Sequence, residues 1–487
     1  MTEPAPSQQV PDVTPVTEPA PSASQPWEAA ASDLAESCPE LRPVLLSPQD
    51  EVAWLEAVNR SRIGNDQLRA YEWWQLDALD RDGNALSISL YHGNPFDPAY
   101  RRALRHEGRD EDVNRKHLLP ASFPALRMSL MIGSSVAARA YRTASHMHFT
   151  ETGAHRPTWS AGFEDFRLSY DSSDNGWRLT GEVPLDQIGL MADLGLSKFY
   201  GKDAETSGPR PTAYVDVTIT PLFDTPTLQR ASMPDSPAGN QHDWLLMCPA
   251  GVVNGSVTIR PRSAVRLPHK SKHKRRTTAT TTIPDVPADS SSRLPDADLP
   301  DFTVGESIQG NSWTFRFDRA YGSLDHFWGS GLIGNGMRRW YRARLPWDTG
   351  TVVAEIPTVR KYIQLAGTLM WFRPDAPPQV ARCGLPGKPV FQRGAWLLAY
   401  PRSIDWSASS SRAQVTHEIE RLADVSPGQG MAVTSAEFEA GLSPFETSHG
   451  PAAGLFEMIQ PSRVDWRLWQ RWAGPRREPE TQEPMIV

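Results

Sequence analysis

Tyr71–Leu79 reads YEWWQLDAL, and Ala85–Tyr91 reads ALSISLY after the intervening turn Asp80–Asn84, DRDGN. Apolar and polar side chains alternate on both sides of the Asp-Gly pair, which is the pattern of a β-hairpin. Trp73 and Trp74 point to opposite faces of the first strand, because successive side chains in a strand alternate. We therefore expect this segment to lie mainly in a core, with at most one of the two indoles lining any one cavity.

Further short strands are predicted along the chain, most of them bounded by Gly, Pro, Asn, Asp or Ser. One short helix is predicted after Ser47, a favourable N-cap, with Val52, Leu55 and Val58 on one face. Many short strands at fairly even spacing predict an all-β fold of antiparallel barrels or sandwiches. The predicted strands cover residues 125–132, 137–143, 147–150, 166–170, 177–183, 213–220, 244–247, 251–259, 312–317, 337–345, 351–356, 362–372, 395–400 and 412–422.

The composition excludes several classes of protein. The formal net charge of −7 carries no basic field for nucleic acid. Cys38, Cys248 and Cys383 lie far apart without a CxxC pair, so we expect neither a disulfide framework nor a zinc site. The N-terminus shows no signal-peptide pattern, and no apolar run approaches the ~18 residues of a membrane-spanning helix. We expect a cytoplasmic protein, either soluble or peripheral at a membrane surface.

The 487 residues are more than one ordinary domain usually holds, so two domains with tails are expected. The basic run Lys270–Arg276 could bind acidic lipid or act as an import signal, although such a run is more often simply solvated. We predict a disordered Pro-rich tail at 1–42, a first β domain at 43–264, a Ser/Thr/Pro-rich linker at 265–300, a second β domain at 301–475 and a polar tail at 476–487.

Asp325 lies among aromatic residues in the stretch Tyr321–Gly329, YGSLDHFWG. An acid packed against indole and phenyl faces resists ionisation, because those faces solvate charge poorly. Such an acid can serve as a proton donor near neutral pH. The alternative is that Asp325 caps a turn and the aromatic residues fill a core.

Other motifs are weak. Gly329–Gly334 fits GxGxxG, but its predicted neighbours are strands, and a dinucleotide fold needs a strand before it and a helix after it. His146 and His148 would share one face of a strand, but no carboxylate completes a metal site. We therefore predict no metal and no nucleotide cofactor.

Four segments resemble the superfamily of acyclic carotenoid 1,2-hydratases (hydroxyneurosporene synthases) and their lipocalin-like relatives. YEWWQLDAL is similar to a YxWW-x-x-DA segment of that family. His242–Pro249, HDWLLMCP, resembles its HxW segment. Leu324–Gly329, LDHFWG, resembles DHNWG, and Met337–Ala343, MRRWYRA, resembles RWDW-x-RA. The four matches occur in the family's order along roughly residues 65–475.

The resemblance implies two tandem lipocalin-like barrels, an active cavity at or between their mouths, and no metal or redox cofactor. By resemblance, Asp325, His242 and Trp244 are catalytic. The family's tyrosine falls on Ser323, while Tyr321 lies two residues earlier. The remaining candidates for substrate binding are Tyr321, Ser323, His326, Trp328 and Trp340, of which Trp340 is preferred over Tyr341 only by resemblance.

The implied reaction is acid-catalysed addition of water to a terminal isoprenoid double bond of an acyclic carotenoid or related polyene. Asp325 would donate the proton, Trp244 or Trp328 would face the cation, and His242 would orient or deprotonate the water. Two alternatives remain open. One is a cofactor-independent cyclase that promotes a Diels–Alder closure, and the other is a barrel that only binds a lipophilic ligand. The expected partner is a lipophilic small molecule, with the oligomeric state open.

Overall fold

The computed structural model describes a large part of the chain, with gaps. The predicted helix after Ser47, the predicted tails and the linker 265–300 lie outside the described residues. None of the described helices is long and apolar enough to cross a membrane. The described residues are 43–45, 61–63, 67–80, 82–106, 119–132, 135–144, 146–152, 158–171, 174–185, 211–222, 227–229, 242–260, 307–309, 312–331, 333, 338–347, 350–358, 367–373, 376–384, 390–393, 399–408, 413–419, 423–426, 429–439, 449–461 and 463.

Strands make up most of this structure. One α-helix, α1 (Pro98–His106), and a 3-10 turn (Pro120–Ser122) join the third strand to the fourth. In chain order the strands are β1 (Pro43–Leu45), β2 (Ala70–Leu79), β3 (Ala85–His92), β4 (Ala125–Ile132), β5 (Ser135–Thr143), β6 (His148–Thr152), β7 (Thr158–Phe163), β8 (Phe166–Asp171), β9 (Gly176–Pro184), β10 (Thr212–Pro221), β11 (Thr227–Gln229), β12 (His242–Arg260), β13 (Ser307–Gln309), β14 (Ser312–Ser330), β15 (Arg339–Trp347), β16 (Gly350–Thr358), β17 (Gly367–Arg373), β18 (Ala376–Cys383), β19 (Phe391–Arg393), β20 (Ala399–Pro401), β21 (Ser403–Ala408), β22 (Ala413–Glu418), β23 (Ala423–Ser426), β24 (Gln429–Glu439) and β25 (His449–Ile459).

The first sheet contains twelve antiparallel strands within the described residues. Their hydrogen-bonded order is β5-β4-β3-β2-β14-β12-β10-β9-β8-β7-β6, and β13 pairs with β14. The predicted hairpin is confirmed, with Leu79 opposite Ala85. Its turn is closed by the Asp80 amide, which donates to the Asn84 carbonyl at 2.9 Å. Gly83 has a φ of 79°, a left-handed conformation that glycine adopts without a steric penalty.

Strand β14 occupies the centre of this first sheet. It pairs with β2 on one side and with β12 on the other. The sequence division at residue 301 assigned Ser312–Ser330 to the second domain, but these residues complete the first sheet. The alternation of apolar and polar residues indicates a strand but does not indicate which strands pair with it. The pairing of β14 with β2 joins residues more than 240 positions apart, such as Asp325 and Gln75. The two large sheets therefore divide after Ser330.

The second sheet contains nine antiparallel strands in the described part of the chain. Their order is β18-β17-β16-β15-β25-β24-β22-β21, and β23 pairs with β24. Strand pairs β1-β11 and β19-β20 form two small separate sheets. The predicted all-β class, with two large antiparallel lipocalin-like units, is confirmed by this architecture.

The two faces of β2 serve different cores. Trp74 packs with Leu76 and Trp159 in the interior of the first sheet. Trp73 packs instead with Trp244, Phe327 and residues of the second sheet. The prediction that Trp73 and Trp74 point in opposite directions is therefore confirmed. Three central strands, β2, β14 and β12, consequently present one face to their own core and the other to the second sheet.

Helix α1 packs beside the strands that face the second sheet. Its first turn is capped by the Asp97 carboxylate, which accepts hydrogen bonds from the amides of Ala99 at 2.7 Å and Tyr100 at 3.1 Å. The Tyr100 hydroxyl donates to the Ala70 carbonyl at 2.6 Å and fixes the helix to β2. We did not predict this helix, although Asp97-Pro98 is a favourable helix start.

Candidate active site

The candidate site lies between the two sheets, on alternate residues of β2, β14 and β12. Phe327 is opposite Trp73 on one side and Trp244 on the other. Two residues earlier, Asp325 is opposite Gln75 and Leu246. Because side chains alternate along a strand, these residues share the face that packs against the second sheet. Asp325 is fully buried on this face.

Strand β15 of the second sheet supplies two arginines to Asp325. Trp340, Arg342 and Arg344 alternate along this strand and are all buried. Arg342 and Arg344 both donate to Asp325 Oδ2, the latter at 2.5 Å. Two guanidinium groups on one oxygen are the typical surroundings of an ionised carboxylate. The contacts of Asp325 thus fix the two sheets together through charge.

Further charged residues extend this contact into a network, which we call the intersheet cluster. On the second sheet, Arg342 lies between Glu457 on β25 and Glu355 on β16 in the strand register, and it donates to Glu457. From the first sheet, the Gln75 amide donates to Asp77 at 2.9 Å and to Glu457 at 3.2 Å. The cluster comprises Gln75, Asp77, Arg127, Asp325, Arg342, Arg344, Glu355 and Glu457, all of them buried.

Glu355 differs from the other carboxyl groups of the intersheet cluster. Burial raises its pKa from 4.5 to about 8, although the positive charges of Arg342 and Arg344 act in the opposite direction. Its Oε2 atom has no hydrogen-bond partner among the described residues. Glu355 is therefore the carboxyl group that holds a proton at neutral pH. Burial likewise raises the pKa of Asp77 to about 6, and the negative charge of Glu457 raises it further.

His242 completes the polar part of the site. Burial, followed by the positive charge of Arg342, lowers its pKa to about 3, so its imidazole is neutral. Its Nδ1 atom lies 3.3 Å from the Tyr71 hydroxyl. The Nε2 atom has no hydrogen-bond partner within the described structure. In the tautomer whose Nδ1–H donates to Tyr71, Nε2 is a lone-pair acceptor.

Aromatic rings wall this site. Phe327 stacks on Trp73 with centroids 4.5 Å apart and meets Trp340 edge-on at 5.6 Å. The His242 ring meets Trp340 edge-on at 4.8 Å. Guanidinium groups already cover two of the rings, because Arg342 lies 4.6 Å from the Phe327 centroid and Arg344 lies 5.5 Å from that of Trp244.

The structure brings together six of the eight predicted residues on the intersheet face: Asp325, His242, Trp244, Tyr321, Ser323 and Trp340. Tyr321 and Ser323 share a strand face, as predicted. The Tyr321 hydroxyl donates to the Pro249 carbonyl at 2.9 Å, and Tyr321 packs near Met431 and Leu455. Ser323 is fully buried, and its Oγ has no hydrogen-bond partner in the described part of the chain. The roles that the resemblance implies for these residues stay predictions.

His326 and Trp328 are separated from this group by the strand itself. They point into the interior of the first sheet, where His326 stacks on Trp74 at 4.6 Å and lies 5.0 Å from Trp328. The two predicted substrate-binding residues thus contact a different space from Asp325. The guanidinium of Arg62 lies 5.2 Å from the Trp328 ring.

The sequence contained a signal for the residues that we did not single out. Arg342 and Arg344 alternate with Tyr341, Ala343 and Leu345 along β15, and Glu355 and Glu457 each interrupt an apolar strand. A charged residue at a core-facing position requires a buried partner. Within the described residues, no group of three or more His, Cys, Asp and Glu side chains is arranged to hold a metal ion.

No protein-family model and no curated protein sequence matches this chain. Among solved structures, it is similar to CghA with Sch210972, at 12% identity and a TM-score of 0.42 over 80% of this chain and 88% of that one. An AttH candidate from Nitrosomonas europaea is similar at 10% identity and a TM-score of 0.42, over 82% of this chain and 94% of that one. Kievitone hydratase from Nectria haematococca is similar at 10% identity and a TM-score of 0.38, over 82% of this chain and 91% of that one. These values establish neither a family nor an activity.

Proposed function

We propose that this protein is a cofactor-independent hydratase that adds water to a terminal isoprenoid double bond of an acyclic carotenoid or related polyene. One observation carries the proposal: Glu355 of the second sheet, whose pKa burial raises to about 8, and His242 of the first sheet, whose imidazole is neutral, both lie between the two sheets beside Trp340. Trp340 connects them, because it is the diagonal neighbour of Glu355 in the pairing of β15 with β16 and its ring meets the His242 ring edge-on. The four segments that resemble the carotenoid hydratases contribute residues to this region.

Glu355 is the proton donor in this proposal. The resemblance assigns that role to Asp325, but two guanidinium groups donate to Asp325 Oδ2, whereas Glu355 holds a proton up to a pH of about 8. Asp325 then acts as a positioning carboxylate that holds Arg342 and Arg344. The Glu355 proton forms a bond to the terminal alkene carbon, and the alkene π electrons that form it leave a tertiary cation on the neighbouring carbon.

The charges of the intersheet cluster favour this step. Its carboxyl groups are Asp77, Asp325, Glu355 and Glu457, and its guanidinium groups are Arg127, Arg342 and Arg344. With Glu355 protonated, three negative charges balance three positive charges. Transfer of the Glu355 proton leaves one net negative charge in the cluster while the substrate becomes positive. Opposite charges in a site of low dielectric constant attract strongly, so the cluster stabilises the cation.

His242 orients the water. Its Nε2 acceptor receives a hydrogen bond from a water molecule whose oxygen lone pair attacks the tertiary carbon. The oxonium ion that forms is a strong acid, so even an imidazole whose pKa is about 3 accepts its proton. The proton then returns to Glu355 directly or through water. One molecule of water is consumed for each double bond, and no oxidant or reductant is needed.

The test is product analysis with the purified full chain and an acyclic carotenoid in detergent micelles. We expect a product that is heavier by one water. Glu355→Gln should lower the rate by about 10²–10⁴-fold, because the amide supplies no acidic proton. Glu182→Gln, at an exposed position of β9, is the matched control and should leave the rate unchanged. A Glu355→Gln enzyme with full turnover would exclude Glu355 as the donor, and unchanged carotenoid after binding would exclude the hydratase.

A second candidate function is supported by the hydrogen-bond donors of the same face. The Nε–H groups of Arg342 and Arg344 are buried and have no hydrogen-bond acceptor among the described residues, and water addition does not require these donors. Donors that polarise a carbonyl accelerate a Diels–Alder closure, which also needs a shaped apolar surface. A cyclised product of unchanged mass would favour this cyclase, and Glu355→Gln would then have little effect on its rate.

A further inference from the structure

A second polar cluster lies on the opposite face of the central strands, inside the first sheet. We call it the Glu72 cluster, and it consists of Ser61, Arg62, Glu72, His92 and His326. Glu72 and His326 are fully buried. Their strands, β2 and β14, are the ones that carry the candidate active site, but alternation places these two side chains on the other face. None of these residues has a part in the proposed hydratase.

Glu72 is surrounded by hydrogen-bond donors. Its Oε1 lies 2.7 Å from His326 Nε2 and accepts from the Arg62 amide at 2.6 Å. Its Oε2 accepts from the Ser61 hydroxyl at 2.7 Å, and His92 Nδ1 lies 3.7 Å away. Burial alone would raise the pKa of Glu72, but the hydrogen bonds from His326 and Ser61, together with the nearby His92, outweigh it and lower the pKa to about 2. Glu72 is therefore a carboxylate.

The ionised carboxylate determines the tautomer of His326. Burial lowers the pKa of His326, against the opposing effect of Glu72, so the ring is neutral and carries one N–H. A carboxylate only accepts hydrogen bonds, so the proton is on Nε2, which faces Glu72. The Nδ1 atom is then a bare acceptor. It is buried and has no hydrogen-bond partner among the described residues.

The surroundings of His326 are apolar and reach a partly exposed edge. Its ring stacks on Trp74 at 4.6 Å, and Trp74 in turn contacts Phe149 at 5.8 Å and Trp159 at 5.5 Å. Phe149 and Trp328 are only partly buried, and both pack against this core. A buried acceptor without a donor requires a donor from outside the described residues, and the surrounding aromatic rings suit an apolar molecule.

We infer that the Glu72 cluster is a second binding site, separate from the candidate active site, for an apolar molecule bearing one hydroxyl group. The ligand enters past Phe149 and Trp328, its hydrocarbon part packs on the aromatic rings, and its hydroxyl donates to His326 Nδ1. A ligand with a carbonyl or ether in place of the hydroxyl has no hydrogen to donate to His326 Nδ1 and therefore binds less tightly. This inference is independent of the reaction catalysed on the other face.

The test compares farnesol with farnesyl methyl ether, which differ in a single hydrogen-bond donor. Binding to the full chain is measured by quenching of tryptophan fluorescence. We expect the wild-type protein to bind farnesol about fivefold more tightly than the ether, the usual net value of one hydrogen bond. Equal binding of the two ligands, or binding of neither, would overturn the inference without any variant.

Two matched variants locate the site. His326→Gln keeps an N–H at the position of Nε2, toward Glu72, but removes the acceptor at Nδ1, so the preference for farnesol should disappear. His242→Gln makes the same substitution on the other face and should leave that preference intact. Far-ultraviolet circular dichroism checks that both variants fold. Loss of the preference in His242→Gln, or its retention in folded His326→Gln, would place the bound alcohol elsewhere and refute the inference.

Discussion

Glu355→Gln should change how the stability of the protein depends on pH. The pKa of Glu355 is about 8 in the folded protein and 4.5 as an ordinary glutamate. A carboxyl group whose pKa is raised by folding contributes stability that is fully present below pH 4.5 and is lost as the pH rises through about 8. The glutamine variant has no proton to lose at this position. As the pH rises, the free energy of unfolding of this variant should therefore lack the decline that ionisation of Glu355 causes in the wild-type protein.

The size of the effect follows from the difference between the two pKa values. Each pKa unit corresponds to about 1.4 kcal/mol, so ionisation of Glu355 lowers the free energy of unfolding by about 5 kcal/mol between pH 4.5 and pH 8.5. Structural relaxation near Arg342 reduces this value. An effect of this size is comparable to the whole stability of many domains.

The assay is urea unfolding of the wild-type protein and the variant from pH 5 to pH 8.5, followed by tryptophan fluorescence. The relevant quantity is the difference in midpoint between the two proteins at each pH. Glu72 does not change the stability between pH 5 and pH 8.5. Its pKa is lowered by folding, so the stability that it contributes is fully present above pH 4.5. Asp77, whose pKa is about 6, is present in both proteins. Glu182→Gln, at an exposed position, provides the control. Parallel curves for the wild type and Glu355→Gln would refute the assignment of the proton to Glu355.

Three further predictions concern single residues. Asp325→Asn should lower the free energy of unfolding by about 3–5 kcal/mol, because it leaves Arg342 and Arg344 facing a neutral group; a urea midpoint within experimental error of the wild type would contradict this. His242→Gln should keep the wild-type circular dichroism spectrum but lose turnover of the carotenoid, and full turnover would exclude His242 as the group that orients water. Gly255→Ala should destabilise the protein by about 1–3 kcal/mol, since Gly255 has a φ of 133° and an added Cβ would lie 2.1 Å from the Asp216 carbonyl oxygen; an unchanged thermal midpoint would contradict it.

Local features of the sequence predicted local structure well. The hairpin of β2 and β3 follows from alternation and an Asp-Gly turn, both of which operate within a few residues. The opposite directions of Trp73 and Trp74 follow from strand geometry alone. The same geometry separates Asp325 from His326, so grouping them as one site overlooked the alternation that was applied correctly to the tryptophans.

Long-range features were not predictable in the same way. The position of β14 between β2 and β12 depends on which strands pair, and alternation is compatible with many partners. The partners of Asp325 come from the other sheet, so nothing near Asp325 in the sequence indicates that two arginines will neutralise it. Arg342 and Arg344 did signal a buried partner, because they alternate with apolar residues along β15. The spatial arrangement was needed to identify Glu355 as the carboxyl group whose burial keeps it protonated.

The cost of the intersheet cluster is itself an argument about function. Removing several charges from water costs several kcal/mol for each ion, and well-packed apolar side chains would join the two sheets at no such cost. A purely structural interface would need no more carboxyl groups than it has guanidinium groups to pair with them. Here four carboxyl groups face three guanidinium groups, and burial keeps the fourth, Glu355, protonated. The neutral side chain of Glu355 forms no ion pair between the sheets. A buried carboxyl group that keeps its proton at neutral pH is, however, what a proton donor requires.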